Sequence, residues 1–275
     1  MTTPDARGQD LIYLAGTRAV SVYTYPEGKL VGTLKGLSKP GSDCVDKAQN
    51  VWIPDPSHGT VVEYAHGGMQ PLRVLKGVNG VACAVDPTTG DLAVAEAFDG
   101  AIWIFKAARG NPVPYDTPTI TRFNYCGYDD KGNLFADGGN GGVGYEFVLS
   151  ELPKGSKKLK IITLDQFISQ PGGIAWDGKH LAIGDAAKPV IYRFAVSGTS
   201  GKSVGAVSLG NPATYGTQFF IDGVRLITPN MYPSKNQLLS NVLFYEYPGG
   251  GKPSKKIPAG RSHLRGLALS LAQSP

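Results

Sequence analysis

The chain has 275 residues, a formal net charge of +5 at pH 7, 37 glycines and 20 prolines. Its length admits one all-β domain, because barrels and propellers outgrow the usual domain size of about 150 residues. No run approaches the roughly 18 apolar residues of a membrane span, and aromatics are not interleaved with the basic residues, so neither a membrane nor a nucleic acid is expected as partner.

The opening MTTPDARGQD lacks the apolar stretch of a signal peptide and reads as a disordered-looking leader, residues 1–10. It fits a cytoplasmic chain or one whose leader has been removed, and an extracytoplasmic location, periplasmic or secreted, is the favoured expectation. Three strands follow in LIYLAG, AVSVYTYP and KLVGTLKG, between residues 11 and 36. Next comes CVDKAQNVWIPD (44–55), an apolar strand, a polar turn, a second apolar strand and a terminal carboxylate. The same unit recurs as AVDPTTGDLAVAE, GYDDKGNLFADG, AWDGKHLAIGD and FIDGVRLITPN. Its anchoring residues are Asp46, Asp86, Asp129, Asp177 and Asp222, at spacings of 40, 43, 48 and 45 residues.

A period of about 40–50 residues with four short strands per repeat is that of a propeller blade. The terminal RGLALSL (265–271) supplies one further strand, which completes a blade with the three at the N-terminus. The expected fold is therefore all-β: a six-bladed β-propeller of four-stranded antiparallel blades in a single domain, 1–275. Its blades fall near 40–77, 80–115, 122–164, 171–209 and 215–258, and the last, 263–275 with 11–36, is closed by both termini. Closure of that kind leaves no free sheet edge. The five repeat aspartates begin hairpins, where Asp accepts hydrogen bonds from backbone two residues on. The lysine-rich KGSKKLK and KPSKK read as solvated turns and edge protection.

At the end of the second strand of four repeats stand Asp55, Glu96, Asp185 and Asn230, each five residues past the turn. Asp137 comes one residue early, which puts it on the other side of its strand unless a bulge intervenes. A ring of these five at the funnel mouth would suit a hard divalent cation, Ca²⁺ or Mg²⁺ rather than Zn²⁺; the alternative is that they hold loop backbone. Asp43, Asn124, Tyr125, Tyr215, Gln218 and Tyr232 line the same expected mouth and suit a small polar ligand. His58, His263 and Arg265 are placed to act as proton carriers and as a stabiliser of negative charge. No nucleophile motif is present. Cys83 and Cys126 each precede their repeat Asp by three residues, so a disulfide between them is expected; Cys44 is out of that register, and three free thiols are the other possibility.

The stretches KPGSDCVDKAQNVWIPDPSHGTVVEYAHGG and QPGGIAWDGKHLAIGDAAKPVIYRFAVSG resemble the NHL repeat, with Pro-Gly, an apolar strand, Asp, a turn, an apolar strand, Asp and a third strand ending in Gly. More distantly the chain is similar to gluconolactonase and senescence-marker propellers and to streptogramin lyases. That resemblance implies a funnel metal, held in the lactonase group partly by an early Glu-Gly-Pro glutamate; the chain reads GQDLIYLAG there. Two functions follow as expectations: a metal-dependent hydrolase or lyase acting on a small polar ligand, or a non-catalytic binding or scaffold propeller with a protein partner. A monomer is expected in either case.

Overall fold

The computed structural model describes residues 4–140, 146–210, 218–234, 237–260 and 263–273. The described residues are almost entirely β, and two short 3-10 turns, Pro4–Gly8 and Lys106–Ala108, are their helical elements. None of their helices is long and apolar enough to cross a membrane.

Strands β1 (Leu11–Ala15), β2 (Val20–Thr24) and β3 (Leu30–Leu34) form an antiparallel meander. The next is β4 (Cys44–Val45), β5 (Val51–Asp55), β6 (Thr60–Tyr64) and β7 (Pro71–Lys76). It is followed by β8 (Gly80–Val85), β9 (Leu92–Glu96), β10 (Ala101–Phe105) and β11 (Val113–Asp116). Then come β12 (Arg122–Tyr128), β13 (Leu134–Asn140), β14 (Glu146–Leu152) and β15 (Lys160–Leu164). The last two meanders are β16 (Pro171–Trp176), β17 (Leu181–Asp185), β18 (Val190–Ser197) and β19 (Ser200–Ser208), then β20 (Phe220–Asp222), β21 (Arg225–Ser234), β22 (Gln237–Glu246) and β23 (Gly250–Gly260). A final strand, β24 (Gly266–Ser270), pairs antiparallel with β1, Leu11 opposite Ser270 and Ala15 opposite Gly266. Both ends of the chain thus share one sheet.

Hydrogen bonding groups these strands into four sheets of four and one of eight. The eight-stranded sheet consists of two antiparallel meanders joined where β15 runs parallel to β19, Thr163 opposite Ser200 and Leu164 opposite Gly201. Segments 122–164 and 171–209, separate repeats in the sequence, therefore share outer-edge hydrogen bonds. The sheets form a propeller-like arrangement with apolar clusters between neighbours. Val22 and Leu34 pack with Ile53 and Val62, and Val61 and Leu75 with Leu92 and Val94. Second strands are the most deeply covered, because sheets press on both their faces; every residue of β5, β9 and β17 is buried.

The expected leader is docked from Ala6 onward. Ala6 is fully buried in the cluster containing Tyr13 and Tyr64, the Gln9 carbonyl lies 3.0 Å from His66 Nε2, and Asp10 accepts the Ala272 N–H at 2.7 Å.

Four of the five hairpin aspartates accept backbone of their own turns, as anticipated. Asp46 accepts Asn50 N and Nδ2, Asp86 accepts Thr88 N, and Asp129 accepts Lys131 N and Asn133 N. Asp177 accepts Lys179 N, His180 N, the Arg193 guanidinium and the Tyr247 hydroxyl. Asp222 takes the Tyr25 hydroxyl, tying the β20–β23 sheet to the terminal one. Lys252–Lys256 lie on β23, an outer strand, mostly exposed as edge protection requires.

The disulfide is Cys44–Cys83, with Cα atoms 5.6 Å apart, and Cys126 is a buried free thiol. This corrects the expected Cys83–Cys126 pair, and the reason is the period of two along a strand. Val85 faces Leu92, as Tyr128 faces Leu134, so Cys83 and Cys126 occupy equivalent positions. Each therefore turns toward the preceding sheet: Cys83 into the cluster with Trp52 and Val61, Cys126 into that with Ala82 and Ala95. Cys44 sits one register step away, and that step turns its side chain to meet Cys83.

Candidate functional site: two mouths of a central channel

Strands β4, β8, β12, β16, β20 and β24 are the innermost of their meanders, and each contributes residues to one central cavity. They approach so closely that a Cβ on Gly41 would lie 2.4 Å from the Val81 carbonyl oxygen, and one on Gly266 2.5 Å from Ser42 Cα. Only glycine fits such approaches.

At the face where chain segments pass between sheets, a cavity of about 480 Å³ opens. Lys39, Phe98, Asn124, Tyr125, His263 and Arg265 are among its walls, and among the described residues no Asp or Glu lines it. Phe98 is 69% exposed, and Arg265 Nε is buried without a hydrogen-bond partner. Burial and then the Asp137 charge push the Tyr125 phenol well above its ordinary range. Four expected mouth residues, Asn124, Tyr125, His263 and Arg265, are brought together here. Lys39 and Leu264 join them from the linkers; the signal that could have found Lys39 was its place in KPGSDC, immediately ahead of an inner strand.

The expected metal ring is not assembled. Asp55, Glu96, Asp137, Asp185 and Asn230 are all buried, and among the described residues no group of three His, Cys, Asp or Glu side chains is placed to hold a metal ion. Asp55 accepts Ser38 N at 2.8 Å and Lys39 N at 3.1 Å. Asp185 accepts Ser169 N, Gln170 N and Ala187 N, and Glu96 accepts Asn79 N and Trp103 Nε1. Each clamps the segment leading into its own inner strand, so its lone pairs go to backbone that would otherwise be buried unpaired. Asp137, offset by one residue, turns instead to Tyr125 N and to Gly172 N on β16. Burial raises its pKa well above the carboxylate range despite those two bonds. Asn230 donates to Asn241 Oδ1 at 3.2 Å.

The remaining expected residues are scattered. His58 lies outside the cavity wall, its side chain 55% exposed, with Nδ1 2.8 Å from Asp55 Oδ2. Tyr232 lies under Lys256, whose Nζ is 4.8 Å from the ring centroid. Tyr215 lies outside the described residues. Asp43 and Gln218 belong to the other end: Gln218 Nε2 donates to the Asp43 carbonyl at 2.6 Å, and its Oε1 accepts Leu267 N.

That other end, on the side of the turns between first and second strands, is a cavity of about 490 Å³. Its collar is formed by Val45, Val85, Tyr128, Trp176 and Ile221, each immediately before a repeat Asp. Asp43, Asp46, Asp129 and Asp130 also line it, and among the described residues no Lys, Arg or His does. The sequence signal for this collar is the strand alternation at the residue before each repeat Asp.

No protein-family model matches the chain, and no curated protein matches it. Among solved structures it is similar to a chain of a nidogen/laminin complex, at 13% identity and TM-score 0.71, covering 96% of this chain and 100% of that one. It is also similar to a protein of unknown function from Bacteroides caccae, at 11% identity and TM-score 0.68, covering 95% and 99%. At these identities the likeness shows the β-propeller fold.

Proposed function

We propose that the chain is a six-bladed propeller, the eight-stranded sheet counting as two blades, and that its linker-face mouth binds a small anionic ligand with an apolar or aromatic body. The observation that carries this reading is the wall of the mouth: Lys39, His263 and Arg265 stand beside Phe98 and Leu264, and among the described residues no lining carboxylate neutralises them. The open Arg265 Nε supports it, since an unpaired buried donor is costly until an acceptor arrives. A carboxylate or phosphate fits a guanidinium through charge-assisted bonds. A binding role suits a mouth whose buried carboxylates are engaged with backbone. The Cys44–Cys83 disulfide supports an oxidising, extracytoplasmic setting.

The test is calorimetric titration with benzoate, phenyl phosphate, benzamide and benzylammonium. The anions should bind saturably, and Arg265→Gln should lower their affinity at least tenfold. Equal binding of benzamide, or no saturable heat from either anion, overturns the reading.

A second reading, a hydrolase, is favoured by the His58–Asp55 pair, in which a buried carboxylate holds an exposed imidazole beside the mouth. Hydrolysis of a lactone or ester, lost in His58→Gln with unchanged melting, would support it. Restoration by Ca²⁺ or Mg²⁺ after chelation would add the cation to that reading.

A further inference from the structure

The hairpin-face cavity presents a different chemistry from the mouth. Asp43 is 1% exposed and both its carboxylate oxygens lack a hydrogen-bond partner, although its backbone carbonyl is held by Gln218. A buried carboxylate without a donor costs far more than one that is paired, because its desolvation is uncompensated. The repeat carboxylates that line this end, Asp46 and Asp129, are by contrast met by donors from their own turns. Among the polar side chains that line the cavity, a second orphan is Trp176 Nε1.

The rest of the wall agrees with what the orphan acid calls for. Tyr128, Trp176, Phe219 and Phe220 supply aromatic surface, and among the described residues none that lines the cavity carries a positive charge. An aromatic wall next to a donor-less carboxyl and the carboxylates of Asp46, Asp129 and Asp130 favours a cation with an apolar body, through the ring quadrupole and the counter-charge together. The carboxylates do not converge as a metal ligand set among the described residues, which leaves an organic cation.

We infer that the hairpin-face end of the channel is a second binding site, for a small ammonium compound, with Asp43 as counter-ion and Tyr128 and Trp176 as aromatic walls. The site is independent of the linker-face mouth and of whatever binds there. The unsatisfied Trp176 Nε1 additionally offers one hydrogen bond to an acceptor atom carried by the ligand.

The experiment titrates the full chain with n-butylammonium, benzylammonium and tetramethylammonium chlorides, with 1-butanol and butyrate as matched neutral and anionic probes. Heat and tryptophan fluorescence are both followed. The ammonium compounds should bind saturably and butyrate should not, and Asp43→Asn should lower ammonium affinity at least tenfold while Arg265→Gln leaves it unchanged. Equal binding of 1-butanol, no saturable ammonium binding, or affinity that survives Asp43→Asn overturns the proposal. Should Asp43→Asn fail to fold, Trp176→Leu decides: a severalfold loss of affinity supports the site, and unchanged affinity overturns it.

Discussion

At the linker face the channel opens among Lys39, His263 and Arg265; at the hairpin face it opens among Asp43, Asp46, Asp129 and Asp130. Both ends are made by the same inner strands of the same repeat, so the opposite charge does not come from topology. It comes from what each strand end must do for the fold. At the linker face the carboxylates are consumed: Asp55, Glu96 and Asp185 are drawn inward to hold passing backbone, and basic side chains remain at the surface of the mouth. At the hairpin face the aspartates stay at the rim, because the backbone they hold belongs to their own turns. A repeated Asp is thus a clamp at either end, and location decides whether its charge reaches the cavity.

The largest expected effect is at the hairpin face. Cys44–Cys83 links β4 to β8 across 39 residues, and both cysteines line that cavity. Loop-closure entropy puts its removal at about 4 kcal/mol. Cys44→Ser should match the melting loss caused by reduction of the parent protein, whereas Cys126→Ser should leave the reduction-sensitive step intact. Equal behaviour of the two variants would refute the assigned pair.

Next in size is Asp55→Ala, which strips the acceptor from two backbone N–H groups in a fully buried site. About 2–4 kcal/mol is expected, and divalent cations should not restore it. Thermal melting with and without Ca²⁺ checks this; recovery on adding the ion would return Asp55 to a metal-holding role.

At the opposite mouth the sign reverses. Burial holds Asp43 well above the usual carboxylate range, so the folded chain binds a proton there that the unfolded chain releases. Asp43 therefore lowers stability as pH rises from about 4 through its folded pKa. Asp43→Asn should raise the melting temperature at neutral pH and flatten the decline. A variant that melts lower throughout that range would show that the carboxylate has a donor.

The smallest effect lies at the rim. Burial alone would raise Asp177, yet the donors from Tyr247, His180, Arg193 and Lys179 hold it below the ordinary value. That stabilisation is present above about pH 4 and is lost as pH falls through the folded pKa. Asp177→Asn should soften the acid limb of the stability profile, as chemical denaturation between pH 2 and 5 would show.

Much of this is legible in the amino-acid order alone. The 40–48-residue spacing of Asp46 to Asp222, the strand alternation and the split terminal repeat determined the β-propeller character and the pairing of β1 with β24. The turn role of the repeat aspartates was equally readable, because it depends on residues two to four positions away. The same local signals placed Asn124, Tyr125, His263 and Arg265 at one mouth.

What the sequence could not decide were relations between sheets. Whether Asp55 faces a cation or the Ser38 amide depends on where a linker from another sheet runs, and Cys83 finds Cys44 rather than Cys126 because facing, not equivalence, brings side chains together. Nor does any pattern of residue types reveal that Asp43 lacks a donor. Period and turn chemistry are local properties of a chain, written into its order; orientation across a packed interface is set only when all the sheets close around one axis.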